Sequence, residues 1–293
     1  MLLMPTSKRP LRPTPRWFAR RSTVAALALS VGAGVAVVGS LPVSAAAGAR
    51  GTLVVRTLTD PAIVESSGLA RSSFSRTRLW THNDSGGGTT IYAIGKSGRT
   101  MARFDLTGAS HLDWEGMANA RRNGVNYLYL GDIGDNHSKR QSIFVHCVRE
   151  PRLTRSNRSL RPTTWEFKYP DGAHNAETLM VRPGTLRIYI VSKGKGSPGS
   201  IYVAPRTLST KHVNVLRKLG PAPEGMADGV FLDRHRFVLR GYVSGWLYRK
   251  IGATPVRFPL PLKGESVTRG WASGTILIGS EGLHSDVWQV RLP

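Results

Sequence analysis

The motif Glu115-Gly-Met-Ala118 decides the fold, because four variants of it recur along the chain. They are Ser67-Gly-Leu-Ala70, Glu177-Thr-Leu-Met180, Glu224-Gly-Met-Ala227 and Glu265-Ser-Val-Thr268. The motifs begin 41 to 62 residues apart, which is the spacing of a structural repeat. After each motif come a short apolar run, a polar loop and a second run that carries an aromatic residue. We therefore interpret the chain as five repeats of one order of elements.

Short β-branched and aromatic runs, separated by Gly, Pro, Asn and Asp, predict many short antiparallel strands. No 3.6-residue apolar period is sustained after residue 50, so we expect an all-β fold. Each repeat is predicted to hold four strands, and those of the second repeat are Gly116–Ala120, Asn126–Gly131, Ser142–Arg149 and Thr163–Tyr169. The fourth strands of the third and fourth repeats are predicted at Val213–Leu219 and Thr254–Leu260.

Four-stranded antiparallel sheets arranged around a channel form a β-propeller. Five repeats predict five blades, and a six-bladed propeller or a sandwich is the alternative. The fifth repeat contains only three strands, and Gly51–Leu58 precedes the first motif. We expect this N-terminal strand to close the last blade. The wide gap between the second and third motifs holds Leu153–Pro162, which is rich in Arg, Ser and Pro and is predicted to be a loop.

Residues 1–49 are predicted to be a signal peptide that precedes a single propeller domain at residues 50–293. The segment holds six basic residues and no acid, then an apolar stretch from Val24 to Leu41 and the small-residue run Ser44–Ala49. This order is typical of a secretory leader, with an uncleaved anchor as the alternative. We expect a secreted, extracellular protein that is free of the membrane after cleavage, and association with the cell envelope stays open.

The chain carries a formal net charge of +23, and a basic surface attracts anionic partners. We expect a small anionic substrate or a cell-envelope polymer. No dense basic run or aromatic stacking platform is evident, so we expect no specific nucleic acid, with the charges scattered over solvated strand faces. Cys147 is the single cysteine, which excludes an intramolecular disulfide. The protein is expected to be a monomer.

The predicted topology gathers acidic residues at one end of the channel. The first strand of each blade lies innermost, and its start shares an edge with the end of the second strand. The acidic residues at or beside this edge, out of 18 in the chain, are Glu65, Asp84, Asp113, Glu115, Asp132, Asp135, Glu177, Glu224, Asp228, Glu265 and Glu281. Clustered carboxylates repel one another unless protons or a cation neutralise them. We therefore predict a functional site at this edge.

The first residues of the five motifs form a predicted ring of metal ligands. They are Ser67, Glu115, Glu177, Glu224 and Glu265. Calcium prefers such oxygen ligands, and magnesium is harder to match with a ring. The alternative is that the glutamates bind backbone groups of the neighbouring blade and set the blade spacing. Histidines near the same edge keep a zinc or manganese site open, and they are His82, His111, His137, His174 and His284.

Four other residues of this edge are candidates for catalysis. Asp84 and Asp132 are predicted bases that activate a water molecule, and Lys193 and Arg240 are predicted to hold an anionic oxygen. Asp135 is a further candidate base. The loops around these aspartates are also ordinary turn sequences, so a structural role is the alternative.

The alternation of an axial Ser or Glu motif with a strand that ends in a charged loop resembles the calcium-activated nucleotidase (apyrase) family. The resemblance implies a secreted five-bladed propeller whose inner-strand Ser and Glu side chains hold a calcium ion at the central channel. It places the motif ring around that ion, and Asp84, Asp132, Lys193 and Arg240 around a phosphate-bearing substrate. Glu224 departs from the mixed Ser/Glu ring of that family. The same short motifs are similar to phytase-like esterases and gluconolactonase-like propellers.

We therefore expect metal-dependent hydrolysis of a phosphoester or a related anionic ester. The alternative, from a different class, is a non-catalytic extracellular binding or scaffold propeller with a structural calcium ion. If the enzyme hypothesis holds, Asp132→Asn is expected to abolish turnover and to leave the melting temperature nearly unchanged.

Overall fold

The apolar runs of the sequence form the central strands of packed sheets, and both faces of these strands are buried. The computed structural model describes residues 52–84, 86–154, 158–261 and 263–293. In the strand Arg187–Ser192, every residue from Ile188 onward is buried. A strand that is covered on both faces needs continuous rather than alternating apolar residues, which explains the runs of Ile, Val, Leu and Tyr.

The sheets are the five blades of a β-propeller. The chain enters with β1 (Leu53–Thr57), and the first blade follows as β2 (Ser66–Arg71), β3 (Leu79–Asn83), β4 (Thr90–Ile94) and β5 (Thr100–Leu106). The next strands are β6 (Trp114–Arg122), β7 (Val125–Asp132), β8 (Ile143–Arg149), β9 (Ser159–Leu160) and β10 (Thr163–Lys168). All except β9 belong to the second blade.

The third and fourth blades repeat the same antiparallel order. The third consists of β11 (Ala176–Arg182), β12 (Arg187–Ser192), β13 (Gly199–Val203) and, after the short β14 (Asn214–Val215), β15 (Arg217–Ala222). The fourth consists of β16 (Met226–Phe231), β17 (Phe237–Gly241), β18 (Ser244–Tyr248) and β19 (Val256–Pro259). The fifth begins with β20 (Ser266–Arg269), β21 (Thr275–Gly279) and β22 (Asp286–Arg291).

The N-terminal strand β1 completes the fifth blade. It pairs antiparallel with β22, so that Leu53 lies opposite Gln289 and Thr57 opposite Asp286. The prediction of five blades, closed by the N-terminal strand, is confirmed. The predicted strands of the second repeat differ from the observed ones by only one or two residues at their ends.

Two short strands were not predicted. β9 pairs in parallel with β5 at the outer edge of the first blade, within the segment predicted to be a loop. β14 pairs in parallel with β10 at the outer edge of the second blade, so the predicted strand Val213–Leu219 is divided between two blades. A two-residue strand has no hydrophobic period, and a sequence pattern therefore does not reveal it.

Apolar clusters fill the spaces between neighbouring blades. Trp80, Phe104 and Trp114 are buried between the first and second blades. Phe231 and Phe237 pack between the third and fourth blades. Burying one such side chain stabilises the fold by about 1.5–3 kcal/mol. This packing sets the blades side by side and brings the inner strands β2, β6, β11, β16 and β20 together around the channel.

The described residues all belong to one compact unit. The predicted signal peptide at residues 1–49 lies outside the described residues. Nothing in the described part of the chain forms a helix that is long and apolar enough to span a bilayer.

A buried carboxylate ties the first two blades together. Glu150, which directly follows β8, is only 4% exposed. It accepts hydrogen bonds from the Ser72 hydroxyl at 2.5 Å, the Ser73 backbone N–H at 2.9 Å and the Trp80 indole N–H at 2.9 Å. All three donors belong to the first blade or to the turn after β2. A buried carboxylate is stable only with such partners.

Replacing this carboxylate should therefore weaken the contact between the blades. We expect Glu150→Ala to lower the free energy of unfolding by about 3 kcal/mol, because buried donors lose a charged acceptor. The control is Asp105→Ala, which removes an exposed acid and should change it by about 0.5 kcal/mol or less. Urea denaturation of both variants measures the difference, and equal stability of the two would contradict the assigned role.

Candidate functional site

The upper edge of the propeller, where the inner strands begin, is shaped by irregularities in strand pairing. The register between the first and second strands shifts between Ser66 and Gly68, between Trp114 and Met117, and between Ala176 and Thr178. An extra residue at such a bulge changes the direction of the side chain relative to the regular pleat. The extra residues include Ser67, Glu115 and Glu177, three of the predicted ring positions.

Three glutamates converge at the upper edge from three different blades. Glu115, Glu177 and Glu265 each contribute a carboxylate oxygen, and these oxygens all lie within 4.8 Å of one another. Glu115 and Glu177 are buried, whereas Glu265 is half-buried. Ser67 adds a fourth predicted ring member, since its hydroxyl donates to Glu115 Oε2 at 3.0 Å. The structure thus brings four of the five predicted ring residues together.

A second group of carboxylates shares Glu115 with the first. Oxygens of Asp84, Asp113 and Glu115 also lie within 4.8 Å of one another. Burial, followed by the neighbouring Asp113, raises the pKa of Asp84 to about 8. Burial also raises the pKa of Glu115 well above its usual range, and the charge of Glu177 adds to this effect. The two groups together form the acidic cluster, which consists of Asp84, Asp113, Glu115, Glu177 and Glu265.

Among the described residues, Lys193 contacts the acidic cluster directly. The ammonium of Lys193 donates to Glu177 Oε1 at 2.8 Å, and the Asn175 amide donates to the same oxygen at 3.2 Å. Burial by itself would lower the pKa of Lys193. The attraction and hydrogen bond of Glu177 outweigh the effect of burial, so the pKa of Lys193 is raised. One ammonium cannot balance the cluster's carboxylates if all ionise, so protons or a cation must supply the remaining positive charge.

Glu224 lies outside the acidic cluster. It is exposed, and its carboxylate accepts a hydrogen bond from the backbone N–H of Gly196. In the fourth blade the register shift falls between Met226 and Asp228. The position equivalent to Ser67 and Glu177 is therefore Ala227, three residues after Glu224. The fourth motif thus matches the others in sequence, but Glu224 precedes the bulge of its strand, whereas Ser67, Glu115 and Glu177 lie in theirs.

Asp132 is a structural anchor in this geometry rather than an open base. It is fully buried. Its carboxylate accepts hydrogen bonds from the Ser110 hydroxyl at 2.6 Å, the Asp113 backbone N–H at 3.1 Å and the Arg140 guanidinium at 2.9 Å. These contacts hold the loop that carries Asp113, so Asp132 positions part of the acidic cluster. The predicted role as a base that activates water does not fit a carboxylate so fully engaged.

Arg240 is also buried within the protein. Its guanidinium donates to the backbone carbonyls of Ser266 at 2.5 Å and Gly279 at 2.7 Å. Burial lowers the pKa of Arg240 to about 10, although Asp228 and Glu265 partly oppose the shift. The side chain connects the fourth blade to the fifth, so the predicted contact with a substrate oxygen does not fit its position.

Asp113 and Asp228 were not among the predicted ligands. Asp113 belongs to the acidic cluster; the predicted topology already put it at this edge, two residues before Glu115, but not as a ligand. Asp228 is fully buried beside Val267, whose backbone N–H donates to it at 2.7 Å. Burial raises the pKa of Asp228 well above its usual range.

No histidine takes part in either carboxylate group of the described residues. His82 and His146 are fully buried around Trp114, with ring centroids at 5.4 Å and 5.8 Å from the indole. Burial lowers the pKa of both to about 4, so they are neutral near pH 7. They serve as packing residues, and oxygen atoms dominate the candidate site.

No protein-family profile matches the chain, and no curated protein sequence matches it. Among solved structures it is similar to a gluconolactonase from Xanthomonas campestris, with 13% identity over 83% of this chain and 89% of that chain and a TM-score of 0.48. A likeness at this level carries no argument about activity. The resemblance to the calcium-activated nucleotidases stays a prediction.

The raised pKa values predict how stability depends on pH when no metal is bound. In the unfolded chain these carboxyls release their protons near pH 4, whereas in the folded protein Glu265 and Asp84 hold theirs to about pH 7 and about pH 8. Their contribution to stability is therefore fully present below about pH 4 and is lost as the pH rises through about 8. The buried histidines act in the opposite direction, but only below their unfolded pKa of about 6.5.

We therefore expect the melting temperature, measured in chelator, to fall as the pH rises from about 6.5 to about 8. Asp84→Asn should make this decrease shallower, because the variant has no proton to lose at that position. Thermal denaturation followed by circular dichroism at closely spaced pH values provides the measurement. A melting temperature that stays constant or rises over this interval would contradict the burial of ionisable carboxyls at the upper edge.

Proposed function

We propose that the protein is a metal-dependent hydrolase of a phosphoester or a related anionic ester, with its site at the upper edge of the propeller. The observation that carries this proposal is the convergence of Glu115, Glu177 and Glu265 from three blades, with carboxylate oxygens within 4.8 Å of one another. Such an arrangement of like charges is favourable only with a cation or bound protons. The predicted leader makes secretion part of the proposal.

The residues present fit a calcium ion. The acidic cluster offers carboxylate oxygens, the hard ligands that calcium prefers, and nitrogen and sulfur ligands are absent from the two groups. Asp84 Oδ1 is buried and has no hydrogen-bond partner among the described residues, so it has an unused acceptor position. Glu115, Glu177 and Glu265 would hold the ion, with Asp84 and Asp113 beside it. When bound, the ion would orient the ester and polarise the bond that breaks.

Asp84 is the proposed general base. One of its carboxylate oxygens has no hydrogen-bond partner among the described residues, and such an oxygen can take up a proton. It is half-buried at the end of β3, whereas Asp132 is fully buried and engaged. Asp84 would take a proton from the attacking water while the water oxygen bonds to the phosphorus or the carbonyl carbon. As the bond from that atom to the ester oxygen breaks, the ester oxygen would take this proton from Asp84 and leave as the alcohol.

Two lysines beside the acidic cluster are proposed to bind the anionic group of the substrate. The ammonium groups of Lys193 and Lys263 lie 5.3 Å and 5.7 Å from the centre of the Tyr242 ring. Lys263 is exposed and can contact a substrate, whereas Arg240 is buried and cannot. The anionic group of the substrate would then contact the lysines, while the metal ion contacts the neighbouring carboxylates.

A binding or scaffold propeller with a structural calcium ion is the second candidate function. The observation that favours it is internal pairing. Asp132 is bound by Ser110 and Arg140, and Lys193 is bound by Glu177. Side chains with such partners stabilise loops and blades without any reaction.

A pair of aspartate variants separates the two functions. With calcium present, aryl phosphate monoesters and diesters and nucleotides are assayed for hydrolysis by the wild-type protein. We expect Asp84→Asn to lower kcat by about 100-fold or more with little change in melting temperature. The matched variant Asp132→Asn should lower the melting temperature clearly, because Arg140 and the loop before β6 lose a charged acceptor.

The outcomes of this experiment are distinct. No hydrolysis of any of these esters by the wild-type protein would reject the enzyme and leave the binding propeller. Full activity in Asp84→Asn would reject this residue as the base. An unchanged melting temperature in Asp132→Asn would reject its role as an anchor.

A further inference from the structure

The lower edge of the propeller, where the inner strands end, is rich in arginine. The turns between the first and second strands all carry arginine at or beside the turn, and these residues are Arg71, Arg76, Arg78, Arg121, Arg122, Arg182, Arg187, Arg234, Arg236 and Arg269. Within these five turns the only acid is Asp233, which pairs with Arg236 at 2.7 Å. The inner hairpins therefore concentrate arginine at the lower edge.

Arginines surround a cavity between the second and third blades at this edge. The cavity has a volume of about 300 Å³, and Arg122, Arg182, Arg187 and Arg206 line it without any acidic residue. Arg187 donates to the backbone carbonyl of Ala204 at 3.2 Å. Nε of Arg182 is buried and has no hydrogen-bond partner among the described residues. The cavity thus presents guanidinium donors and lacks a carboxylate to receive them.

A second cavity at the lower edge is also lined by arginines, one of which, Arg236, is paired with Asp233. It has a volume of about 220 Å³ and is lined by Arg71, Arg236 and Arg269, together with Trp271. Burial lowers the pKa of Arg71, and the nearby charges of Arg269 and Arg76 lower it further. The buried Nε of Arg71 and indole N–H of Trp271 have no acceptor among the described residues. An anion in this cavity would relieve the repulsion between these guanidinium groups.

The chemistry of these cavities favours phosphate groups. A guanidinium group presents a planar fork of donors that matches two oxygens of a phosphate. The aromatic rings nearby are already covered by guanidinium groups, since Arg182 lies 4.8 Å from the Tyr189 ring and 5.2 Å from the Phe231 ring. Arg56 likewise covers Trp271 at 4.6 Å. A guanidinium group thus already occupies one face of each of these rings, which disfavours stacking of a nucleic-acid base there.

We propose that the lower edge binds a linear phosphodiester polymer of the cell envelope through its phosphates, with one or more phosphates in each arginine cavity. Several cationic sites on one edge match a ligand that repeats its charge along a chain. A single small anion would occupy only one cavity. This surface is distinct from the acidic cluster at the opposite edge, so the proposal does not depend on the hydrolase activity.

The test uses long-chain inorganic polyphosphate as a linear phosphate polymer without bases. Its affinity for the full protein is measured by isothermal titration calorimetry at several salt concentrations. The variant R122Q/R206Q removes two exposed arginines of the first cavity. The control K139Q/K195Q removes the same charge from exposed lysines of upper-edge loops. Thermal denaturation checks that both variants stay folded.

We expect R122Q/R206Q to weaken polyphosphate binding about 10-fold or more. Each lost phosphate contact should also reduce the slope of log affinity against log salt by about 0.7–0.9. The control should change affinity by less than about threefold, because its lysines lie at the other edge and lose only long-range attraction.

Four results would overturn the proposal. The first is that polyphosphate does not bind, and the second is that both variants lose affinity equally. The third is that a single-stranded oligonucleotide of equal charge binds more than about 10-fold tighter, through base stacking. The fourth is that the protein binds anionic phosphatidylglycerol vesicles and polyphosphate does not displace it. The third result would indicate a nucleic-acid surface, and the fourth would indicate a membrane surface.

Discussion

Repulsion between carboxylates at one end of the channel is the constraint that organises the upper edge. The ring of inner strands brings Glu115, Glu177 and Glu265 close together, and their charges cannot coexist there without compensation. Ser67 and Lys193 provide hydrogen bonds to this group. Without a metal ion, the raised pKa values mean that some of these carboxyls keep their protons. We propose that a bound divalent cation compensates the charges instead.

The blade arrangement was predictable because it repeats. Apolar runs of the right length occur five times, and a strand that is buried on both faces needs such runs, so both the number of blades and their closure by β1 follow from sequence. Local exceptions were not predictable. The strands β9 and β14 are held by neighbouring strands rather than by their own pattern.

The candidate site was predictable only in part, because the burial of each side chain and the register of strand pairing decide which side chains meet. Glu224 matches the motif in sequence, yet the bulge of β16 places Ala227 at the equivalent position. Arg240 and Asp132 follow the predicted topology but are fully buried, which sequence alone does not indicate. Asp113 was overlooked as a ligand because it precedes the repeated motif. The arginine cavities of the lower edge arise from residues that lie far apart in the chain.

The central claim is that the glutamates of the upper edge bind calcium, and a calcium titration of matched variants tests it most directly. Isothermal titration calorimetry would compare the chelator-treated wild-type protein with Glu265→Gln and Glu224→Gln. The account predicts calcium binding by the wild-type protein, an affinity at least about 10-fold lower in Glu265→Gln, since one ligand charge is lost, and a near wild-type affinity in Glu224→Gln. Absence of calcium binding, or an equal loss in both variants, would contradict the account.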